Sequence, residues 1–202
     1  MNTDEIKIGT IKKWLGSGSI NIFGMPFSGK DTQCQRIADL FDAVTFGGGD
    51  ILRNSEVSAH LKAEIDRGML APTDEFLATI LPYFKRAEFV GKPLVLSSVG
   101  RWEGEETSVF TAVAESNHDM KAAIFLDLKE TEAFARLQAA NRGRADDDEE
   151  KLHTRFEEFR TKTVPVLNVY KNKGLLTTIN GMQTPDQVTA AIITELYARA
   201  TA

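Results

Sequence analysis

The segment Gly24-Met25-Pro26-Phe27-Ser28-Gly29-Lys30-Asp31-Thr32 holds the chain's densest chemistry. Its glycines, Gly24 and Gly29, bracket four residues; Lys30 follows at once and a hydroxyl, Thr32, two positions later. A glycine loop that opens a helix turns backbone N–H groups inward at the positive end of the helix dipole. The Lys30 ammonium can then fold back over a bound phosphate chain, with the Thr32 hydroxyl one helical step further on. The segment reads as a polyphosphate cradle. The plain competitor is a glycine turn between a strand and a core helix. The apolar run Ile20–Phe23 in front, and Cys34, Ile37, Ala38 and Phe41 at helical spacing behind, supply the strand and helix a cradle needs.

The elements that must position this loop are legible as well. Short apolar runs at Ile20–Phe23, Ala43–Phe46, Pro93–Ser97, Ala122–Leu128 and Leu175–Ile179 are spaced to leave room for helices. Continuous apolar runs alternating with helical patterns predict an α/β fold, a parallel five-stranded sheet with helices on both faces. Helices are expected over Gly29–Phe41, Ser58–Arg67, Thr73–Arg86, Glu105–Ser116, Thr131–Asn141, Asp148–Lys173 and Pro185–Ala200. Thr184-Pro185 gives a cap followed by a first-turn proline. Pro165 should kink the long helix and push Val164 from helical geometry, and Pro82 threatens the end of its own helix. Residues 1–18 read as an N-terminal extension, with Ile6, Ile8, Ile11, Trp14 and Leu15 able to form a short amphipathic element closed by Gly16-Ser17-Gly18. Residues 19–202 read as a single domain. In such sheets ligands bind beyond the carboxyl ends of the strands, which gives weight to Gly47–Arg53 and Ser97–Arg101.

Composition bounds the answer. A chain of 202 residues, 42% hydrophobic and 26% charged, is an ordinary globular domain. The net charge of -5 argues against nucleic acid or an anionic membrane as a partner, so any anionic ligand must be held by locally placed basic residues. A lone cysteine, Cys34, excludes an internal disulfide and a cysteine metal cage. Cys34 falls on the inner face of its helix, where packing is its expected role. His60, His118 and His153 carry no ligand spacing and are expected in surface or capping roles. No run approaches the length of a membrane span, and Met1–Leu15 lacks a signal-peptide core, so a cytoplasmic monomer is expected.

The P-loop pattern asks for Ser or Thr directly after the lysine, and here Asp31 intervenes before Thr32. That ending, with Pro26 inside the loop, resembles adenylate kinases and related nucleoside monophosphate kinases, and the resemblance runs from about Ile20 to the C-terminus. Gly49-Asp50-Ile51-Leu52-Arg53 resembles the segment whose arginine holds the monophosphate acceptor. Gly68–Glu75 resembles the turn closing the small acceptor-binding insert, 54–74 here, and Leu96–Arg101 sits at the family's Leu-Asp-Gly-Phe-Pro-Arg motif. Arg136-Leu137 and Gly143-Arg144-Ala145-Asp146-Asp147 resemble the positions beside a lid, which at 137–147 is minimal and has no room for a zinc-bearing insert. Arg155, Thr163–Leu167 and Asn180-Gly181-Met182 continue the likeness. It implies a P-loop NTPase-type fold and ATP with Mg²⁺ and a nucleoside monophosphate as substrates. By the same likeness Gly24, Ser28, Gly29, Lys30, Asp31, Thr32, Arg136 and Met182 serve ATP, with Arg136 stacked on the donor base. Gly48, Arg53, Arg101 and Glu105 serve the acceptor. Lys30, Arg101, Arg144 and Arg155 carry the transfer, and Asp31, Thr32 and Asp50 lie toward the metal. The register of Arg142 is ambiguous, because Ala140 falls where a short-lid arginine is expected. Such a transfer works by positioning and electrostatics, for which guanidinium groups are suited.

The chain also departs from the pattern. Ser97 replaces the family's magnesium-associated aspartate, and Ser98 and Gly100 replace its glycine and proline. Asp31 puts a carboxylate into the cradle. At about 6 Å and an effective dielectric near 20, its repulsion with one phosphate charge is about 3 kcal/mol. Either Asp31 compensates for Ser97 in the outer shell of Mg²⁺, or nucleotide binding is impaired. Gly48 stands at the adenine-selective threonine and Glu105 at the base-binding glutamine. A carboxylate only accepts, so Glu105 could suit guanine, or AMP could be held by backbone and packing. The expectation is AMP as acceptor, with GMP or a pyrimidine monophosphate as alternatives. Two other readings compete: a degenerate relative that senses nucleotides without turnover, and a kinase of another small acceptor. A regulatory GTPase is disfavoured, since no Asn-Lys-x-Asp signature occurs.

Overall fold

The structure, a computed structural model, describes residues 3–54, 58–139 and 148–202. Its centre is the sheet. Strands β1 (Ser19–Gly24), β2 (Val44–Gly47), β3 (Leu94–Ser97), β4 (Met120–Asp127) and β5 (Leu176–Asn180) run parallel in the order β2-β3-β1-β4-β5. All five expected runs are strands. β1 is central and buried along its whole length, and its period-2 alternation feeds two cores. Ile20 and Ile22 point into one core with Cys34, Ile37, Val95, Ile124 and Ile192, while Phe23 points into another with Phe156 and Tyr170. Ser97 is level with Ile22 on one side and Gly47 on the other, which brings the carboxyl ends of β1, β2 and β3 to one edge.

Helices cover both faces. On the first face lie α1 (Thr3–Leu15), α2 (Lys30–Phe41) and, after β5, the C-terminal helix Pro185–Thr201. α1 is sealed to the sheet by Ile11 and Leu15, both essentially fully buried. Between β2 and β3 come α3 (Gly48–Asn54), α4 (Ala59–Asp66) and α5 (Thr73–Ile80), packed on a separate cluster around Phe46, Phe76 and Phe84. α6 (Glu105–Glu115) joins β3 to β4, and α7 (Glu130–Ala139), α8 (Glu149–Glu158) and α9 (Val164–Asn172) join β4 to β5; the C-terminal helix is α10. No helix among the described residues is long and apolar enough to cross a membrane.

Several boundaries differ from expectation for physical reasons. α5 stops at Ile80, and a 3₁₀ turn, Leu81–Lys85, carries Pro82. The helix expected over Asp148–Lys173 is split into α8 and α9 by a π turn at Phe159–Thr163. Val164 was expected outside helical geometry, yet its φ of -59° and ψ of -42° are helical. Its N–H donates to the Phe159 carbonyl in the wider π turn, which makes room for the Pro165 ring. α10 is capped as read, with Thr184 and Gln187 forming a reciprocal capping box. His118 is buried rather than superficial, with Nδ1 2.7 Å from the Ser17 carbonyl oxygen.

Candidate active site

The loop from β1 to α2 is shaped by its glycines. A side chain at Gly24 would bring its Cβ to 2.3 Å from Ser28 Oγ, and Gly29 caps α2 in the left-handed region at a φ of 82°. Phe27 also has a positive φ, 63°, and its carbonyl faces α7. No side chain caps α2, so the loop leaves the first-turn N–H groups of that helix to face an anion. Ser28 Oγ is buried and has no hydrogen-bond partner among the described residues.

Lys30 lies mostly inside the protein. Burial pushes its ammonium below the usual lysine range, opposed by Asp31, and the nearby Arg155 and Arg101 push in the same direction as burial. Its Nζ stands 3.1 Å from Asp31 Oδ1. The same oxygen accepts a 2.8 Å hydrogen bond from Ser97 Oγ at the end of β3. Asp50, on α3, folds over Gly47: a Cβ there would lie 3.1 Å from Asp50 Oδ2. Asp31, Asp50 and Ser97 thus line one small recess together with Lys30, Arg101 and Arg155. Cys34 is buried behind it, and burial raises its thiol to about 12, so it packs and does not react.

Arg101 is positioned from beneath. Asn21, buried in β1, donates through Nδ2 to the Val99 carbonyl at 2.8 Å and to Tyr170 Oη at 3.2 Å; its Oδ1 accepts from Val99 N–H at 3.2 Å. Glu105, at the start of α6, accepts the backbone N–H groups of Arg101 and Trp102 at 2.8 and 3.1 Å. Its carboxyl is pushed above the usual range by burial, against the pull of those two N–H groups. Glu105 is therefore the floor under Arg101, and the cavities that Arg101 lines do not include it. Ser98 keeps a positive φ of 48° without being glycine, held by its N–H to the Ile22 carbonyl at 3.0 Å.

Two cavities meet at Lys30 and Arg155. The smaller, about 70 Å³, is walled by Gly49, Leu52, Ile65, Gly68–Ala71, Arg101 and Glu158. Glu158 accepts the Leu70 N–H at 3.0 Å and pairs with Lys162 at 2.7 Å, so it ties the segment after α4 to α8. Gly48 does not line this wall; a Cβ there would meet the Phe76 ring at 3.1 Å, so close packing of α3 on α5 accounts for its glycine. The larger cavity, about 520 Å³, runs from the Phe27–Gln33 loop to Arg136, Gly181, Gln183 and Val188, and includes Asp31 and Thr32. Arg136 donates to Glu132, to the Phe27 carbonyl at 3.1 Å and to the Gly181 carbonyl at 2.9 Å. Each of its three nitrogens makes one such bond, which fixes the guanidinium as a plate in the cavity wall. Met182 is 42% exposed and stands aside from that wall, where Gly181 and Gln183 take its place.

Of the residues expected at the site, Gly24, Ser28, Gly29, Lys30, Asp31, Thr32, Asp50, Arg101, Arg136 and Arg155 are brought together around these cavities. Arg53 lies on α3, and its side chain is outside the described residues, as are Arg142, Arg144 and the 140–147 part of the expected lid. Sequence reasoning missed Asn21, Glu158 and Gln183. A polar residue inside the run Ile20–Phe23 was the available signal for Asn21. Glu158 and Gln183 carried none.

A family model described as adenylate kinase matches residues 22–175. The chain is 32% identical to an adenylate kinase of Phocaeicola vulgatus over 87% of its own length and 96% of the relative's. It is 31% identical to an adenylate kinase of Bacteroides thetaiotaomicron, over 86% and 95% of the two chains. A probable UMP-CMP kinase of Arabidopsis thaliana is 30% identical over 89% of this chain and 88% of the plant protein.

Proposed function

This chain belongs to the adenylate kinase family, and from that premise we propose that it transfers the γ-phosphate of ATP·Mg²⁺ to AMP. The class is a phosphotransferase acting on nucleoside monophosphates; AMP as acceptor is the proposal. The observation that carries it is the convergence of Lys30, Arg101 and Arg155 on the smaller cavity, with Lys30 and Arg155 shared by the larger one. Three cations at that point are what two anionic phosphate groups require before they can approach.

The larger cavity suits the donor. Its loop offers N–H groups to the β- and γ-phosphates, Lys30 spans them, and the Arg136 plate offers a flat face to the base. The smaller recess suits the acceptor phosphate, against Arg101 and Arg155. Closure of the 54–74 region over this recess would exclude water from the transfer. An acceptor phosphate oxygen, already ionised, attacks the γ-phosphorus in line; the bond to the β–γ bridging oxygen breaks, and ADP leaves with that electron pair. No protein base is needed. Magnesium arriving with ATP supplies charge neutralisation between the β- and γ-phosphates. The oxygens of Asp31, Asp50, Ser97 and Thr32 are hard donors that fit such an ion held mainly by water and phosphate. No group of three or more His, Cys, Asp or Glu side chains among the described residues could cage a metal without the nucleotide.

AMP is favoured by the two bacterial relatives named adenylate kinase. A pyrimidine acceptor is the second reading, supported by the plant relative named a probable UMP-CMP kinase. Initial rates with AMP, CMP, UMP, GMP and dTMP as separate acceptors decide between them. The reading predicts a kcat/KM for AMP at least tenfold above the others. A preference for CMP or UMP would transfer the conclusion to the second reading, and binding of ATP with no acceptor phosphorylated would make the chain a nucleotide sensor.

A further inference from the structure

The cradle carries an acid where a phosphate-binding loop is least expected to hold one. Asp31 is the first residue after Lys30, at the start of α2, and its carboxylate is turned to β3. There it takes the 2.8 Å hydrogen bond from Ser97 Oγ, while Lys30 Nζ shares the same oxygen at 3.1 Å. The end of β3 itself offers a hydroxyl only. Asp50 closes the recess from the other side, with its Oδ2 over Gly47. The negative charge of this recess thus comes from α2 and α3, with none from the strand between them.

We propose that Asp31, oriented by Ser97, is the carboxylate that orders the water shell of the magnesium ion bound with ATP, a duty carried to the phosphate loop from the end of β3. This deepens the reading of the larger cavity as the ATP·Mg²⁺ site and rests on it. Before nucleotide binds, Asp31 balances Lys30 in a partly buried pair. When the triphosphate draws Lys30 to its own oxygens, Asp31 is left facing added negative charge. The Arg101 and Arg155 guanidinium groups in the recess offset part of that charge, and a cation whose waters donate hydrogen bonds to Asp31 offsets more. The recess therefore discriminates between ATP with its metal and ATP without it: Asp31 repels the bare nucleotide and welcomes the complex. Ser97 is a positioning residue, since its hydroxyl holds Asp31 Oδ1 and is too short a group to replace a carboxylate.

The test is calorimetric binding, which needs no turnover. The dissociation constant of ATP is measured in excess Mg²⁺ and again in excess EDTA, and the ratio of the two is compared between wild type, Asp31→Asn, Ser97→Asp and the double variant D31N/S97D. Asp31 is half exposed, so an amide of the same shape leaves the fold intact. The proposal expects D31N to lower the metal-dependence ratio at least tenfold, chiefly by tightening metal-free ATP, and the double variant to restore it by returning the carboxylate to β3. S97D alone should raise the ratio further by placing two acids side by side. An unchanged ratio in D31N, with ATP still binding, would overturn the proposal and leave the donor-site reading standing. A fall in D31N that S97D does not restore would equally refute the transfer of duty. Failure of wild type to bind ATP under either condition would instead refute the donor-site reading on which the proposal rests.

Discussion

Asn21→Leu isolates the residue that sets the position of Arg101 without touching a phosphate. The leucine has nearly the same volume and keeps β1 packed, but it removes both ends of the amide. Asn21 is fully buried and its partner Val99 is equally so. The buried Val99 N–H and C=O then lose their bonds of 3.2 and 2.8 Å, and the buried Tyr170 Oη loses its amide donor at 3.2 Å. A buried polar group left unpaired costs about 1–3 kcal/mol, so three cost about 3–9; partial recovery by movement of the loop brings the expectation to the low end, about 3 kcal/mol. Against a total stability of roughly 5–15 kcal/mol this is large. It corresponds to a fall in Tm of about 6–12 °C for a domain of this size. The same movement displaces Arg101, two residues on, so the acceptor KM should rise at least tenfold while the dissociation constant of ATP stays within twofold. Urea unfolding and steady-state kinetics on one preparation read both effects. A variant within 0.5 kcal/mol of wild type, taken as roughly the spread of neutral substitutions, with an unchanged acceptor KM would refute the reasoning that Asn21 holds the post-β3 loop.

Three further predictions rest on single contacts. Glu105→Gln keeps an oxygen for the Arg101 and Trp102 N–H groups and removes a carboxyl that burial has raised above its ordinary 4.5. The folded state then holds a proton that the unfolded state releases first, so wild-type stability falls as pH rises from the ordinary value through the raised one. E105Q should lose that slope and be no less stable at neutral pH, as measured by urea unfolding from pH 4 to 8; identical slopes would remove Glu105 from the account. Arg136→Lys should weaken ATP binding about tenfold, because an ammonium cannot bridge the Phe27 and Gly181 carbonyls and present a flat face to the base; wild-type affinity by calorimetry would contradict the donor-base assignment. Glu158→Ala should raise the acceptor KM several-fold and leave ATP affinity unchanged, because Leu70 N–H and Lys162 both lose their partner; equal changes for both substrates would count against a tether on the acceptor side.

How much was legible follows from where the information lies. The five strands and their parallel pairing could be read because each lies in a short run rich in apolar and β-branched residues, although Asn21 interrupts β1; the order β2-β3-β1-β4-β5 could not. The phosphate loop could be read because its chemistry is local: Gly24, Gly29 and Lys30 do their work within one turn of chain. α3 could not. It opens with Gly48 and Gly49, which cost about 1 kcal/mol each in a helix, and it is held by the burial of Leu52 and by contact with α5 and β2. Val164 was misjudged because a proline rule for regular helices does not anticipate a π turn. Glu158 looks like its neighbours Glu149, Glu150 and Glu157 until the fold brings Leu70 against it. The Asp31–Ser97 coupling was visible as two departures 66 positions apart, and the 2.8 Å contact joins them. Local motifs and periodic burial are written in one stretch of chain, whereas tethers and bridges are written in pairs that only folding unites.

The central claim is that the two cavities flanking Lys30 hold ATP and AMP. ADP·Mg²⁺ offered alone, with no other nucleotide, tests it most directly by ³¹P NMR, because only a kinase whose acceptor is AMP can run the transfer backward from two ADP molecules. The account predicts ATP and AMP appearing in equal amounts with wild type and no conversion with Lys30→Met. ADP left unchanged by wild type, under conditions in which it binds, would contradict it.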